Sequence, residues 1–342
     1  MKFKVQRAFT LVEMLVVIAI IALLLAALLP AFASVRNQAK VTDTAARFRA
    51  LDTGIRTFQA ESAIGGALPP SSSDGPNRQE IADPRSTNAG DRIRVAGAQL
   101  LVHAMVGADG LGTPGFKDVT RGTGNNPGRG IWSDDTHKAT TAGTEGIYAI
   151  GDDGKEKFPR YGGAGYVDEK LKSEAKSIQE LVNTGKVLQL AGGTNPANNE
   201  RMFLDPWDHP ILYYRANPSL IRMTAGNDKP GIYWQEDNSI LTGSVDGAES
   251  DLGVDFGQGV ENNALHAIKG ARSPEPSGVV DAVALFLADT QYDRTFARYI
   301  VDPSVKARLT PVNKDSYLLI SAGPDSRYGT GDDVVNWTKK TD

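Results

Sequence analysis

Hydrophobic positions crowd one end of the chain. From Met14 to Ala33 an apolar run of 20 positions is broken only by Pro30. At about 1.5 Å per residue a helix of that length rises roughly 30 Å, the thickness of a bilayer's hydrocarbon core. Lys2, Lys4 and Arg7 precede it, and a basic cluster on that side predicts a cytoplasmic N-terminus with the rest of the chain translocated. Beyond Ala33 the apolar residues Val41, Phe48 and Ile55 recur every seven positions, with Leu51 and Phe58 between them. That stripe predicts a helix continuing to about Ala60, so the two patterns together read as one long helix over 9–62.

The remainder alternates short apolar segments with turn-rich ones. Gly65 to Pro76 ends the helix, and Ile93 to Val106 reads as a second helix carrying Leu100, Leu101 and Met105. Gly107 to Gly130 reads as a long surface loop. Val167 to Val182 predicts another helix, with Leu171, Ala175, Ile178 and Val182 on one face. Phe203 to Tyr214 reads as a turn feeding a strand. A helical segment around Val279 to Leu287 precedes a closing strand, Tyr317 to Ser321, and a terminal loop. No solenoid-type repeat is present.

Composition sharpens this picture in two places. Of the 33 residues from Met1 to Ala33, 26 are hydrophobic, against 40% for the 342-residue chain, so the rest is an ordinary soluble sequence. The absence of cysteine excludes thiolate metal sites, Cys nucleophiles and disulfides. A net charge of −4, with no basic block interleaved with aromatics after residue 60, gives no sign of nucleic-acid binding. Catalytic patterns are equally thin. His103, His137, His209 and His266 fall into no ligand spacing. Ser173-Glu174-Ala175-Lys176 fits Ser-x-x-Lys without companion motifs and reads as a charged helix face. Gly122-Thr123-Gly124 and Gly162-Gly163-Ala164-Gly165 lack a strand-turn-helix setting, and Asp152-Asp153-Gly154 reads as a polar turn.

Two processing schemes fit the N-terminus. A secretory signal would end at Ala31-Phe32-Ala33, before Ser34, and release a soluble protein. Against it stand the length of the run, the acidic Glu13 inside its boundary and the stripe that continues it. The segment Ala8-Phe9-Thr10-Leu11-Val12-Glu13-Met14-Leu15 closely resembles the signal of type IV prepilins and type II secretion pseudopilins, with Ala8 where that family usually has Gly. The resemblance implies that a prepilin peptidase cuts between Ala8 and Phe9 and methylates the amino group of Phe9. It also implies that Glu13 pairs with the charged N-terminus of a neighbouring subunit and sets the axial register of the filament. A carboxylate at a bilayer edge costs on the order of 2–3 kcal/mol unless paired, which gives that pairing a physical motive. Pro30 stands where the family carries a helix-perturbing proline.

Two distal segments extend the resemblance. Asp205-Pro206-Trp207-Asp208-His209-Pro210, followed by Tyr213-Tyr214, looks like the Asp-Pro-Trp-Gly-x-Pro turn and aromatic strand of major pseudopilins. Asp208 replaces the Gly, so the turn survives only if Asp adopts the required backbone angles. Ser321 to Asp333 resembles their C-terminal calcium loop, with Asp325, Asp332 and Asp333 as candidate ligands of Ca2+; a solvated Asp/Gly turn is the competing reading.

The expectation is therefore an α+β, pilin-like fold: a long N-terminal transmembrane helix packed on a small antiparallel sheet, with an expanded head. Residues 1–8 form the leader, 9–62 the helix with its membrane part at about 14–33, and 63–342 the extracytoplasmic head, expanded over about 69–199. The resemblance implies a non-enzymatic subunit of a type II secretion pseudopilus or type IV pilus-like filament. It would be single-pass in a bacterial inner membrane, with prepilin peptidase, the assembly platform, other pseudopilins and copies of itself as partners. The presence of Glu13 resembles shaft subunits more than tip subunits. A membrane-anchored or filament-displayed binding module, serving as adhesin or cargo receptor, and a secreted enzyme cleaved after Ala33 are the alternatives.

Overall fold

The computed structural model describes residues 11–60, 66, 68–71, 80–82, 92–106, 166–186, 188–189, 200–216, 232–233, 235–238, 241, 254–255, 299–300, 302, 305, 310–326 and 328–338. They form an N-terminal helix followed in the chain by shorter helices and small antiparallel sheets. The chain divides into two compact units, Met1–Asp43 and Thr44–Asp342.

Helix α1 runs from Leu11 to Ala60, 50 residues, and stays helical through Pro30. In the first unit it carries many exposed apolar side chains, Leu11, Leu23, Phe32 and Val35 among them. Among the described residues no helix is long and apolar enough to cross a membrane.

In the second unit the heptad stripe becomes a packed face. Phe48, Leu51, Ile55 and Phe58 are buried, while Arg49, Arg56 and Thr57 on the other side are exposed. The stripe meets a three-stranded sheet made of β6 (Leu212–Arg215), β8 (Tyr317–Ser321) and β9 (Val334–Val335), in the order β6-β8-β9 and antiparallel throughout. Successive side chains on a strand point to opposite faces. Tyr213, Tyr317 and Leu319 accordingly pack with α1, and Leu212, Tyr214, Leu318 and Ile320 pack in a second cluster on the other face. Both faces are covered, which is why Tyr317–Ser321 is continuously buried rather than alternating.

Helix α2 (Gly97–Val106) lies within the 69–199 stretch, yet all ten of its residues are buried. A Cβ on Gly97 would stand 2.4 Å from the Tyr213 carbonyl oxygen, so the start of α2 presses directly on the β6 backbone. Gly54 of α1 makes a comparable approach: its Cβ would lie 2.7 Å from the Tyr166 carbonyl. The polar ends of this packing are satisfied locally. Asn238 accepts from the Ala98 amide at 2.9 Å and donates to the Tyr213 carbonyl at 2.8 Å, and Gln99 caps the Ala96 amide at 2.9 Å.

Two predicted helices are corrected. The helix expected over 93–106 begins at Gly97, because Arg92–Arg94 forms a strand, β2, paired antiparallel with β1 (Glu80–Ala82). Ile93 between two arginines is the alternation of a strand, not a helix turn. The helix expected over 167–182 is two short ones, α3 (Glu169–Glu174) and α4 (Ile178–Asn183), separated by β3 (Lys176–Ser177). Ala175 is extended, and Ser177 restarts the helix through a capping box, accepting from the Glu180 amide at 3.2 Å while Glu180 accepts from the Ser177 amide at 2.7 Å. β3 pairs with β5 (Arg201–Met202), and β4 (Leu188–Gln189) with β7 (Val254–Asp255). The strands expected after Phe203 and at Tyr317–Ser321 are present. The loop expected over 107–130, the polar turn at 152–154 and the helix expected over 279–287 lie outside the described residues.

One contact between α1 and the sheet is pH-dependent. Burial pushes the Asp52 carboxyl up, but hydrogen bonds from Arg56 and Tyr317 outweigh it and hold the group below its ordinary value of 3.8. A carboxyl lowered in the folded state stabilises fully above its unfolded value and loses that contribution as pH falls through the folded one. The stability difference between the parent chain and Asp52→Asn should therefore be constant near neutrality and shrink below about pH 4, as measured by urea unfolding across pH.

Candidate metal centre

The C-terminal loop leaves β8 at Ser321 and returns as β9, with Ser321 opposite Val334 and Ile320 opposite Val335. Between them the chain turns through left-handed angles at Gly323 (φ 66°), Ser326 (φ 64°) and Gly329 (φ 88°). At Gly323 a Cβ would come within 2.5 Å of the Asp332 carbonyl oxygen, so the two arms of the loop can close only on glycine.

This closure brings Asp325, Asp332 and Asp333 together, with one carboxylate oxygen of each inside 4.8 Å of the others. Asp325 and Asp332 are exposed, and Asp333 is 6% exposed. Asp332 accepts from the Asp325 amide at 3.0 Å and from the Thr330 hydroxyl at 2.5 Å. Asp333 Oδ2 accepts from the Gly329 amide at 2.6 Å and from the Tyr299 hydroxyl at 2.5 Å, and Oδ1 accepts from Thr330 at 3.2 Å. Burial first, then the neighbouring Asp333 carboxylate, push the Tyr299 hydroxyl far above its ordinary range, so it remains a donor. The donor set is oxygen only, anionic and carried on a Gly-rich turn, which is the chemistry a hard divalent cation takes.

The turn at 205–210 is built around one carboxylate. Asp205 is 2% exposed. Its Oδ1 accepts from the amides of Trp207 and His209, both at 2.9 Å, and its Oδ2 accepts from the Ser321 hydroxyl at 2.7 Å. Asp208 adopts φ 67°, the left-handed conformation that its place in the turn demands, and its side chain pairs with Lys186 at 2.6 Å. Asp thus serves where Gly was expected. The same turn touches the rest of the second unit: Tyr328 donates to the Pro210 carbonyl at 2.5 Å, and Arg47 of α1 donates to the Leu204 carbonyl at 2.7 Å while pairing with Glu174 at 2.8 Å.

The predicted site residues are thus distributed. The three aspartates meet. Glu13 lies in the first turn of α1 and Pro30 within that helix, whereas Ala8 and Phe9 lie outside the described residues. Ser321, Tyr328, Tyr299 and Arg47 are members of this assembly that sequence reasoning did not select; the Ser321 and Tyr328 positions inside the Asp/Gly segment were the available signal. His103 is buried against Glu200, and His209 sits in the turn. Ser173 bonds the Lys170 carbonyl at 2.8 Å from α3 while Lys176 lies on β3, so the Ser-x-x-Lys pattern forms no pair.

The family model for the prokaryotic N-terminal methylation motif matches residues 3–29. No curated protein and no solved structure gives a significant match to the chain. The chain therefore carries a type IV prepilin-like N-terminal segment, and the segment suggests membrane anchoring, peptidase processing and a structural role.

Asp205→Ala leaves three donors without their acceptor and should lower the unfolding free energy by about 3 kcal/mol. Ser321→Ala should cost about 1 kcal/mol, and a double-mutant cycle by denaturant unfolding should show coupling of at least about 0.5 kcal/mol between the two sites.

Proposed function

We propose that this protein is a structural pilin- or pseudopilin-like subunit that polymerises into a type II secretion pseudopilus or type IV pilus-like filament serving protein secretion. The observation that carries the reading is the methylation motif over residues 3–29, continued by α1 with its exposed apolar side chains. Apolar side chains left exposed along a helix need lipid or other helices against them, and a filament precursor meets both in turn. On this reading the prepilin peptidase cuts between Ala8 and Phe9, and the new amino group of Phe9 is methylated. The inner membrane then holds the subunit by a single span at about 14–33, with its head outside the cytoplasm. Glu13 would pair with the Phe9 amino group of a neighbouring subunit as the assembly platform adds copies, and Pro30 would let the helix adjust on leaving lipid. The second unit would be the pilin-like head, and Ca2+ held by Asp325, Asp332 and Asp333 would neutralise their mutual repulsion and close the C-terminal loop. The convergence of three carboxylate oxygens within 4.8 Å supports that last element.

N-terminal mass spectrometry of the mature chain tests the processing. A methylated Phe9 is expected, and a chain starting at Ser34 would replace the filament with a secreted protein. Glu13→Ala should insert in the membrane like the parent and yield few or no filaments by electron microscopy; normal filaments would remove the register role.

A further inference from the structure

Strand β6 ends the β6-β8-β9 sheet, so one of its long sides has no strand of that sheet beside it. The register identifies the groups on that side. Ala216 donates to the Ser316 carbonyl at 2.8 Å, and hydrogen-bonded pairs alternate along an antiparallel ladder, so Tyr214 and Leu212 also turn their amides and carbonyls to β8. Tyr213 and Arg215 therefore turn theirs outward. Just before them the Ile211 amide is taken by backbone, the Phe203 carbonyl at 2.8 Å. From there side chains take over: Asn238 donates to the Tyr213 carbonyl at 2.8 Å, and the Arg215 amide donates to the Ser71 hydroxyl at 3.0 Å. Both guards are buried and held from behind. Asn238 accepts from the Ala98 amide at 2.9 Å, Ser71 donates to Asp237, and the Tyr213 hydroxyl fixes the Pro69 carbonyl at 2.7 Å. The other side of the sheet uses the same device, with Asn336 accepting from the Leu319 amide at 2.9 Å and donating to the Tyr317 carbonyl at 3.2 Å.

The two capped groups are a carbonyl and an amide two residues apart on one strand. A second copy of β6 laid antiparallel, about a two-fold axis at Tyr214, would place each Arg215 amide on the other copy's Tyr213 carbonyl. The edge is thus complementary to itself, and an uncovered edge of that kind is a template for pairing with another chain. We propose that residues 69–71 and 235–238 form a lid over a self-pairing strand edge, pinned by Ser71 and Asn238, and that opening the lid joins two copies of this chain through β6. Such pairing needs neither the Asp-rich loop nor the N-terminal apolar segment, and it would join second units edge to edge rather than through α1.

The test compares the full chain in detergent with the double variant Ser71→Ala, Asn238→Leu, following mass by sedimentation and amide exchange over residues 211–216 by mass spectrometry. The double variant should double in mass as its concentration rises. Its exchange over 211–216 should be about tenfold faster than the parent's at low concentration and return toward the parent's as the dimer forms. Gly97→Ala, whose methyl cannot stand against the Tyr213 carbonyl, should loosen the same cover by bulk and give the same two changes. Ser321→Ala loses a hydroxyl hydrogen bond elsewhere on the sheet and should keep the parent's mass. A folded double variant with the parent's mass at every concentration overturns the proposal. Equal association by Ser321→Ala overturns it too, because lost stability rather than an opened edge would then be the cause. Should the double variant not fold, Ser71→Ala alone and Gly97→Ala decide by the same two readouts.

Discussion

The second compact unit depends on the carboxylate of Asp205. It is nearly inaccessible to water, and a buried carboxylate is tolerated only when its oxygens are engaged by donors. Two of those donors, the Trp207 and His209 amides, shape the turn, and the third, the Ser321 hydroxyl, belongs to the last residue of β8. One side chain thus decides both the conformation of a turn and where β8 ends. The Asp-rich loop starts from that point, and Tyr328 within it returns to the same turn at Pro210. The turn at 205–210 and the Asp-rich loop are consequently halves of one assembly, joined through Asp205 and Tyr328.

Helix and sheet meet this assembly from the other side. Arg47 reaches the Leu204 carbonyl just before the turn, and Tyr317 reaches Asp52 from β8. Beside these polar contacts runs the apolar seam of Leu51, Ile55 and Phe58 against Tyr213 and Leu319. Burial along the seam gives cohesion without direction, and the polar contacts beside it supply the register that burial alone lacks. α2 adds a third layer, and the close approaches at Gly97 and Gly54 leave no room for even a methyl group without movement. α2, within residues 69–199, therefore supplies core.

Legibility in the sequence followed the physics of each feature. The stripe from Phe48 to Phe58 was readable because helical burial repeats with a period the chain displays, and Tyr317–Ser321 because a strand covered on both faces is continuously apolar. Where prediction failed, the deciding signals were single polar residues. Ser177 and Glu180 divide what periodicity alone joined into one helix, and the pairing of β2 with β1 claims Ile93 from the helix that follows. At the candidate site the three aspartates were legible as a cluster, since all lie in one short segment. Tyr299 and Arg47 were not, because they act across the fold, and nothing in local spacing marks a residue whose partner lies 34 or 157 positions away.

A chain without cysteine has to close its loops by other means. A disulfide would act mainly on the unfolded state, by shortening the excursions of the chain. The closures found here act on the folded state instead, through hydrogen bonds to buried carboxylates at Asp205 and Asp333, and they differ in what they leave available. Asp205 spends its oxygens on donors of a turn and a strand end, so its role is complete within the chain. Asp333 sits beside two further carboxylates and accepts hydrogen bonds from Gly329, Thr330 and Tyr299. The turn at 205–210 is thus closed on a single buried carboxylate, whereas the C-terminal loop gathers three carboxylates onto one glycine-rich turn.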